Sequence, residues 1–215
     1  MGTITNHYQS TGSLWQQIEQ TLTDAGIDVA HDLNSSLLAP IDQLHIGGRQ
    51  ATQKLLDLVT FNADSHVLEI GSGLGGTARL ITETAPCSIT AIDITPSFST
   101  AHETINQLMG LKNIHVVCAD ACQAQVPAES QDIVISQHTL MNIPDKEALL
   151  KTLADSLKPG GRFLLHEVIA GEHSERVGRV VALELEPLDD ERGHDRPQPI
   201  ERSAQRRHLL DEAGA

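Results

Sequence analysis

The sequence predicts an α/β fold: one doubly wound parallel sheet of about five strands, preceded by N-terminal helices. Three observations carry this. The 215 residues, 40% hydrophobic and 20% charged with 16 Gly and 9 Pro, are enough for one sizeable core but not for two full α/β domains. From Val67 onward short Val- and Ile-rich runs alternate with helical segments, the pattern of a sheet covered on both faces. The first strand ends in a glycine-rich stretch that leads into a helix, the arrangement that in such sheets places a ligand beyond the strand ends.

Ser13 and Gln16 form a capping-box signal, and Leu14, Ile18 and Leu22 then recur at helical spacing until Gly26 stops the helix. Residues 31–50, HDLNSSLLAPIDQLHIGGRQ, mix Pro, Gly and polar residues and read as loop or short turns, before Ala51 to Val59 resumes a helical pattern. Residues 1–60 are therefore expected to form an N-terminal helical cap, and 61–171 the core. In that core Val67–Ile70, Ser88–Ile94, Ile114–Ala119, Ile133–Ser136 and Arg162–Val168 read as strands. Thr77–Glu83, Pro96–Leu108 (capped by Thr95) and Pro144–Leu157 read as helices.

Residues 172–215 differ in character. Seven arginines and no lysine lie there, among eleven acids, and Glu201 to Ala213 reads as a final helix.

Fifteen Lys and Arg against 29 Asp and Glu leave a formal charge of −14, so nucleic acid is not an expected partner. No apolar run approaches bilayer length, the first residues have no export core, and Asn6 occupies the position where a myristoylation signal needs Ser or Thr. No membrane association is expected. Three cysteines, Cys87, Cys118 and Cys122, fit a reducing, cytoplasmic setting, with Cys118 and Cys122 read as small packing residues rather than a redox pair. The eleven histidines look scattered, with no pair at metal-binding spacing, so no metal site is expected.

Val67 to Ile81 reads VLEIGSGLGGTARLI. Glycines there let the backbone turn sharply and a ligand approach free N–H groups at a helix N-terminus. Taken alone, Gly71, Gly73 and Gly76 satisfy a dinucleotide pattern, whereas Glu69 with Gly71, Gly73 and Gly75 satisfies that of S-adenosylmethionine enzymes. Asp93, 22 residues beyond Gly71, suits the ribose of either cofactor. Asp120 and Ala121 follow the third strand, and Leu157 to Phe163 reads LKPGGRF, a helix end, a turn and a strand start. A helix cap or a solvated strand end is the plain alternative for either aspartate.

In this order of motifs, over residues 45–170, the chain resembles the class I S-adenosylmethionine-dependent methyltransferases. Segments PIDQLHIGGRQ (40–50) and SQHTLMNI (136–143) resemble the small-molecule subgroup that includes glycine and sarcosine N-methyltransferases and natural-product enzymes. The resemblance implies a Rossmann-like fold and S-adenosylmethionine as cofactor. It implies that Gly71, Ser72 and Gly73 lie along the methionine part, with Glu69 on its amino end, and that Asp93 binds the ribose. Ile94 and Ala121 would sandwich the adenine, Asp120 would take its amino group, and Gln43, His45 and Gln137 would line the site. His138, after the fourth strand, is the candidate catalytic base or orienting group, because imidazole titrates near neutrality; a packed core histidine is the plain alternative, as a turn cap is for His45.

The activity so implied is methyl transfer to an amine or hydroxyl of a small molecule. The alternatives are a cofactor-binding protein without turnover and, less favoured, a nicotinamide-dependent oxidoreductase, against which the Lys158–Gly161 turn and the Asp120–Ala121 pair argue. Two antiparallel strands usually follow in this family, and the chain stops at Ala215, where the first is expected. Strand five is therefore expected to be an open edge, reflecting a truncated or altered-frame tail, closure by a homodimer, or a missing partner.

Overall fold

The computed structural model describes residues 13–170, 176–184 and 207–211. Helices α1 (Leu14–Asp24), α2 (Ser35–Asp42) and α3 (Gly48–Leu56) precede the sheet. The capping box is formed: Ser13 Oγ accepts from the Gln16 N–H, and Gln16 Oε1 accepts from the Ser13 N–H. The segment expected as loop contains α2, a correction. Asn34 caps it by accepting the Leu37 N–H at 3.0 Å, and Leu38 is fully buried. That burial outweighs the backbone hydrogen bond lost at Pro40, only two residues from the helix end.

Strands β1 (His66–Ile70), β2 (Ser88–Asp93), β3 (Ile114–Cys118), β4 (Gln131–Gln137) and β5 (Leu157–Ala170) form a parallel sheet. They are connected through α4 (Gly76–Thr84), α5 (Pro96–Leu108) and α6 (Lys146–Ser156), with a 3-10 turn at Leu140–Asn142. Alternate residues serve opposite faces: Val67, Ile133, Ile135 and Leu164 pack with Leu55, Leu56 and Ile81, whereas Leu68, Val134 and Phe163 pack with Leu149 and Leu153. Both faces being covered explains why the strands read as unbroken apolar runs. Thr95 stands at the N-cap of α5 as expected, but its side chain caps nothing.

The tail corrects two further expectations. Strand β6 (Arg176–Glu184) pairs antiparallel with β5 from Arg162↔Glu184 to Ala170↔Arg176, and β7 (Arg207–Asp211) pairs antiparallel with β6. The sheet order is β3-β2-β1-β4-β5-β6-β7, so the two last strands are present and β5 is not an edge. The reason for expecting a homodimer there disappears. Residues 207–211, expected in a helix, are strand: backbone pairing with a neighbouring strand leaves no mark in the periodicity of one segment.

Residues 158–161, expected as a turn before the fifth strand, are a bulge inside β5. Leu157 pairs with Gln131 and Arg162 with Ile133, leaving four residues against one. Gly160 takes φ +78°, and Lys158 Nζ reaches Asp132 Oδ2 at 2.7 Å across the bulge. No helix among the described residues is long and apolar enough to cross a membrane.

Candidate active site

The carboxyl ends of β1, β2, β4 and β5 meet the α2–α3 segment, and most of the residues singled out in the sequence come together there. On the β1 side the backbone makes the site. Gly71, Gly73 and Gly75 have φ of +73°, +53° and +85°, left-handed values that a side chain resists. A Cβ on Gly71 would lie 1.9 Å from Thr139 Oγ1, and one on Gly75 2.0 Å from His102 Nε2, whereas in front of Gly73 there is open space. The glycines are thus needed twice for packing and once for a free approach.

Behind this loop Glu69 is 5% exposed, and its Oε2 has no hydrogen-bond partner among the described residues. Burial pushes its carboxyl up to about 8, against the opposing effects of a Thr77 hydrogen bond and the Arg79 charge. Arg79 is itself fully buried. It pairs with Asp42 Oδ2 at 2.9 Å, donates to Asn106 Oδ1 at 3.1 Å and reaches the Leu74 carbonyl. One side chain therefore ties α2, the glycine loop and α5 together. Ser72 is buried and its Oγ is unpartnered among the described residues.

Asp93 sits at the end of β2, where the ribose carboxylate was expected, and it also has a structural task. Oδ2 accepts the Gly73 N–H and Oδ1 the Thr95 N–H, each at 2.8 Å. A carboxylate has further lone pairs for other donors. Ile94, 66% exposed, offers an unusually bare apolar surface beside it. Across β3, Asp120 Oδ1 accepts the Cys122 N–H at 2.9 Å, a turn-forming bond of the kind its plain alternative calls for, and Ala121 is half-buried.

The β4–β5 side is built from side chains. Gln137 donates to Thr77 Oγ1 at 2.8 Å, and its Oε1 faces Thr52 Oγ1 at 3.3 Å and His166 Nδ1 at 3.4 Å. Gln43 is buried; its Oε1 meets Thr52 Oγ1 at 2.6 Å and His45 Nε2 at 3.0 Å. His138 follows with φ +51°, a conformation costly for any residue with a Cβ, and its N–H donates to the His166 carbonyl at 2.8 Å. Its Nε2 has no partner among the described residues. Burial lowers the pKa of both His45 and His138, which keeps them neutral near pH 7. The rings of His45, His138 and His166 cluster with centroids 4.7–5.7 Å apart. The histidines that look scattered in sequence therefore converge, which removes the ground for expecting no metal-binding group.

The sequence reading missed Thr52, Thr77, Arg79, His166 and Glu167. Glu167 Oε1 accepts the N–H groups of Thr139 and Leu140, each at 2.8 Å, and so fixes the loop that carries His138. The signal for the last two was available: LLHEV places a polar pair inside an otherwise apolar strand, at a strand end where ligands bind in this fold.

The methyltransferase-domain family matches residues 68–165, from the first strand through the fifth. Residues 68–165 are a methyltransferase domain. The chain is 28% identical over 120 residues to phosphoethanolamine N-methyltransferase 3 of Arabidopsis thaliana, covering 55% of this chain and 24% of that protein. It is 29% identical over 103 residues to the sarcosine/dimethylglycine N-methyltransferase of Halorhodospira halochloris, covering 47% and 37%. The chain thus spans about a quarter to a third of the length of these curated relatives. In fold it is similar to Haemonchus contortus phosphoethanolamine N-methyltransferase 2, solved with phosphomonomethylethanolamine and S-adenosylhomocysteine. The TM-score is 0.56 at 22% identity, over 61% of this chain and 31% of that one.

Proposed function

We propose that the protein transfers a methyl group from S-adenosylmethionine to an amine or hydroxyl of a small molecule. The observation that carries the reading is Glu69: a buried carboxylate with one oxygen unpartnered among the described residues, placed behind a glycine loop that is open at Gly73. A cationic amino group beside it would supply the missing partner and favour its ionised form. The residues present fit the cofactor. Glu69 would hold the amino end, Gly71, Ser72 and Gly73 would follow the methionine part, and Asp93 would take the ribose hydroxyls. Ile94 and Ala121 would enclose adenine with Asp120 at its amino group, and Gln43, His45 and Gln137 would line the opposite wall.

When bound, the sulfonium supplies an electrophilic methyl whose leaving sulfur needs no proton. The chain's own work is then to orient the acceptor, exclude water and take a proton from the nucleophile if it carries one. His138 suits the last task, because burial keeps its imidazole neutral and its Nε2 is uncommitted among the described residues. A small-molecule acceptor fits the relatives' named substrates, phosphoethanolamine and sarcosine or dimethylglycine.

Calorimetric titration with S-adenosylhomocysteine and with NADH tests the cofactor. Binding of the first and not the second is expected, and binding of NADH alone would reject the reading. Methyl release from labelled cofactor against small amines, phenols and acids then tests turnover, with His138→Asn expected to lower it at least about tenfold while leaving S-adenosylhomocysteine affinity within a few-fold.

A further inference from the structure

Three imidazoles from three distant segments meet beside the proposed methyl-transfer site. His45 comes from the α2–α3 connection, His138 from the end of β4 and His166 from β5. One ring nitrogen of each lies within 4.8 Å of the other two. Three imidazoles have little attraction for one another, and a cluster of this kind in a partly buried setting is what nitrogen ligation of a cation requires.

The groups around them orient the rings. His45 Nδ1 lies 3.2 Å from the Ile46 carbonyl, and its Nε2 lies 3.0 Å from Gln43 Oε1 and 2.9 Å from Thr52 Oγ1, so polar groups hold the ring from both sides and a ligating Nε2 exchanges these contacts for the ion. His166 Nδ1 faces the Gln137 side-chain oxygen at 3.4 Å. Polar partners that orient the imidazole are the usual surrounding of a metal-bound histidine. His138 is locked by its backbone: the left-handed φ of +51° and the N–H bond to the His166 carbonyl hold its ring over that of His166 at 4.7 Å.

We propose that His45, His138 and His166 form a three-histidine site for a divalent transition-metal ion of the zinc or cobalt kind, with its remaining coordination positions open to an oxygen of the methyl acceptor. Nitrogen–metal bonds of about 2.0–2.1 Å require the three nitrogens to close to roughly 3.3 Å of one another, a movement that side-chain rotation supplies. Asp, Glu and Cys are not among the three ligands, so the site presents a full dipositive charge, suited to an acceptor oxygen in its anionic form. What the ion does rests on the methyltransferase reading, but its binding does not. With the ion bound, the His138 lone pair is used in ligation and the acceptor loses its proton to water instead.

The test is titration of the full chain, stripped with chelator, with Co²⁺ followed by visible absorption, and with Zn²⁺ by calorimetry. One equivalent is expected, with cobalt bands of nitrogen ligation and no thiolate-to-cobalt charge transfer. His45→Gln, His138→Asn and His166→Gln should each weaken it at least about tenfold. Circular dichroism verifies that each variant folds; if His166→Gln does not, the His45→Gln and His138→Asn pair decides. Unchanged affinity in these variants, no binding, or a thiolate spectrum overturns the site. Titration with S-adenosylhomocysteine in the presence of chelator reads the cofactor separately: its success with failed metal binding sinks only the metal site, and the reverse sinks only the cofactor reading.

Discussion

The two halves of the site are made differently. Around β1 and β2, contacts are set by backbone: three left-handed glycines, the Gly73 N–H on Asp93, and a carboxylate sealed beneath them. Around β4, β5 and the α2–α3 segment they are set by side chains: Gln43, Thr52, Thr77 and Gln137 in one chain of hydrogen bonds, three histidine rings against one another. On the proposed function, the first half would hold the cofactor and the second would face the methyl acceptor. A backbone cradle tolerates little change, whereas a side-chain wall can be rebuilt one residue at a time. The halves touch at Gly71 and Thr139.

The largest expected effect comes from removing the buried pair that ties α2 and α4 to the cradle. Arg79→Ala leaves Asp42 buried without its partner and should cost about 3–5 kcal/mol in chemical denaturation. Glu69→Gln should act in the opposite direction. The wild-type carboxyl, held near 8 when folded, stays protonated where the unfolded chain releases its proton, so its contribution to stability falls as pH rises from about 4.5 to about 8. The Gln variant should lack that decline and be more stable at pH 8 by an amount on the order of a few kcal/mol, yet bind S-adenosylhomocysteine more weakly. A stability difference between the two chains that stays level over that range would contradict the burial of Glu69.

Gly71→Ala probes the seam. The added methyl meets Thr139 at an already left-handed φ, and a loss of about 1–3 kcal/mol with impaired cofactor binding and impaired turnover together is expected in paired titration and rate measurements. Glu167→Gln is subtler: it weakens the acceptor for the Thr139 and Leu140 N–H groups, costs about 1–2 kcal/mol, and should lower turnover while sparing S-adenosylhomocysteine affinity. Equal loss of both would mean that the two halves are not separable.

The same contrast explains what the sequence discloses. The cradle is legible because its parts are local: Glu69 and the glycines lie within a few residues, and Asp93 follows at the next strand end. The strand–helix alternation and the capping box at Ser13 and Gln16 are legible for the same reason. The histidine cluster is not, since His138 and His166 meet through the pairing of β4 with β5 and His45 reaches them from the α2–α3 connection. Helix α2 was obscured by Pro40, whose missing donor is a local signal overridden by the burial of Leu38. Strands β6 and β7 were obscured because a strand is stabilised by its neighbours, and single-segment periodicity carries no record of them.

The central claim is that the glycine loop seats an adenosyl sulfonium with its amino group against Glu69. Calorimetric titration of S-adenosylhomocysteine at pH 7 in two buffers of different ionisation enthalpy tests it most directly. Because the carboxyl is protonated at that pH and a neighbouring ammonium lowers its pKa, binding should release protons to the buffer in the wild type and not in Glu69→Gln. Binding with no proton release in either chain, or no binding at all, would contradict the account.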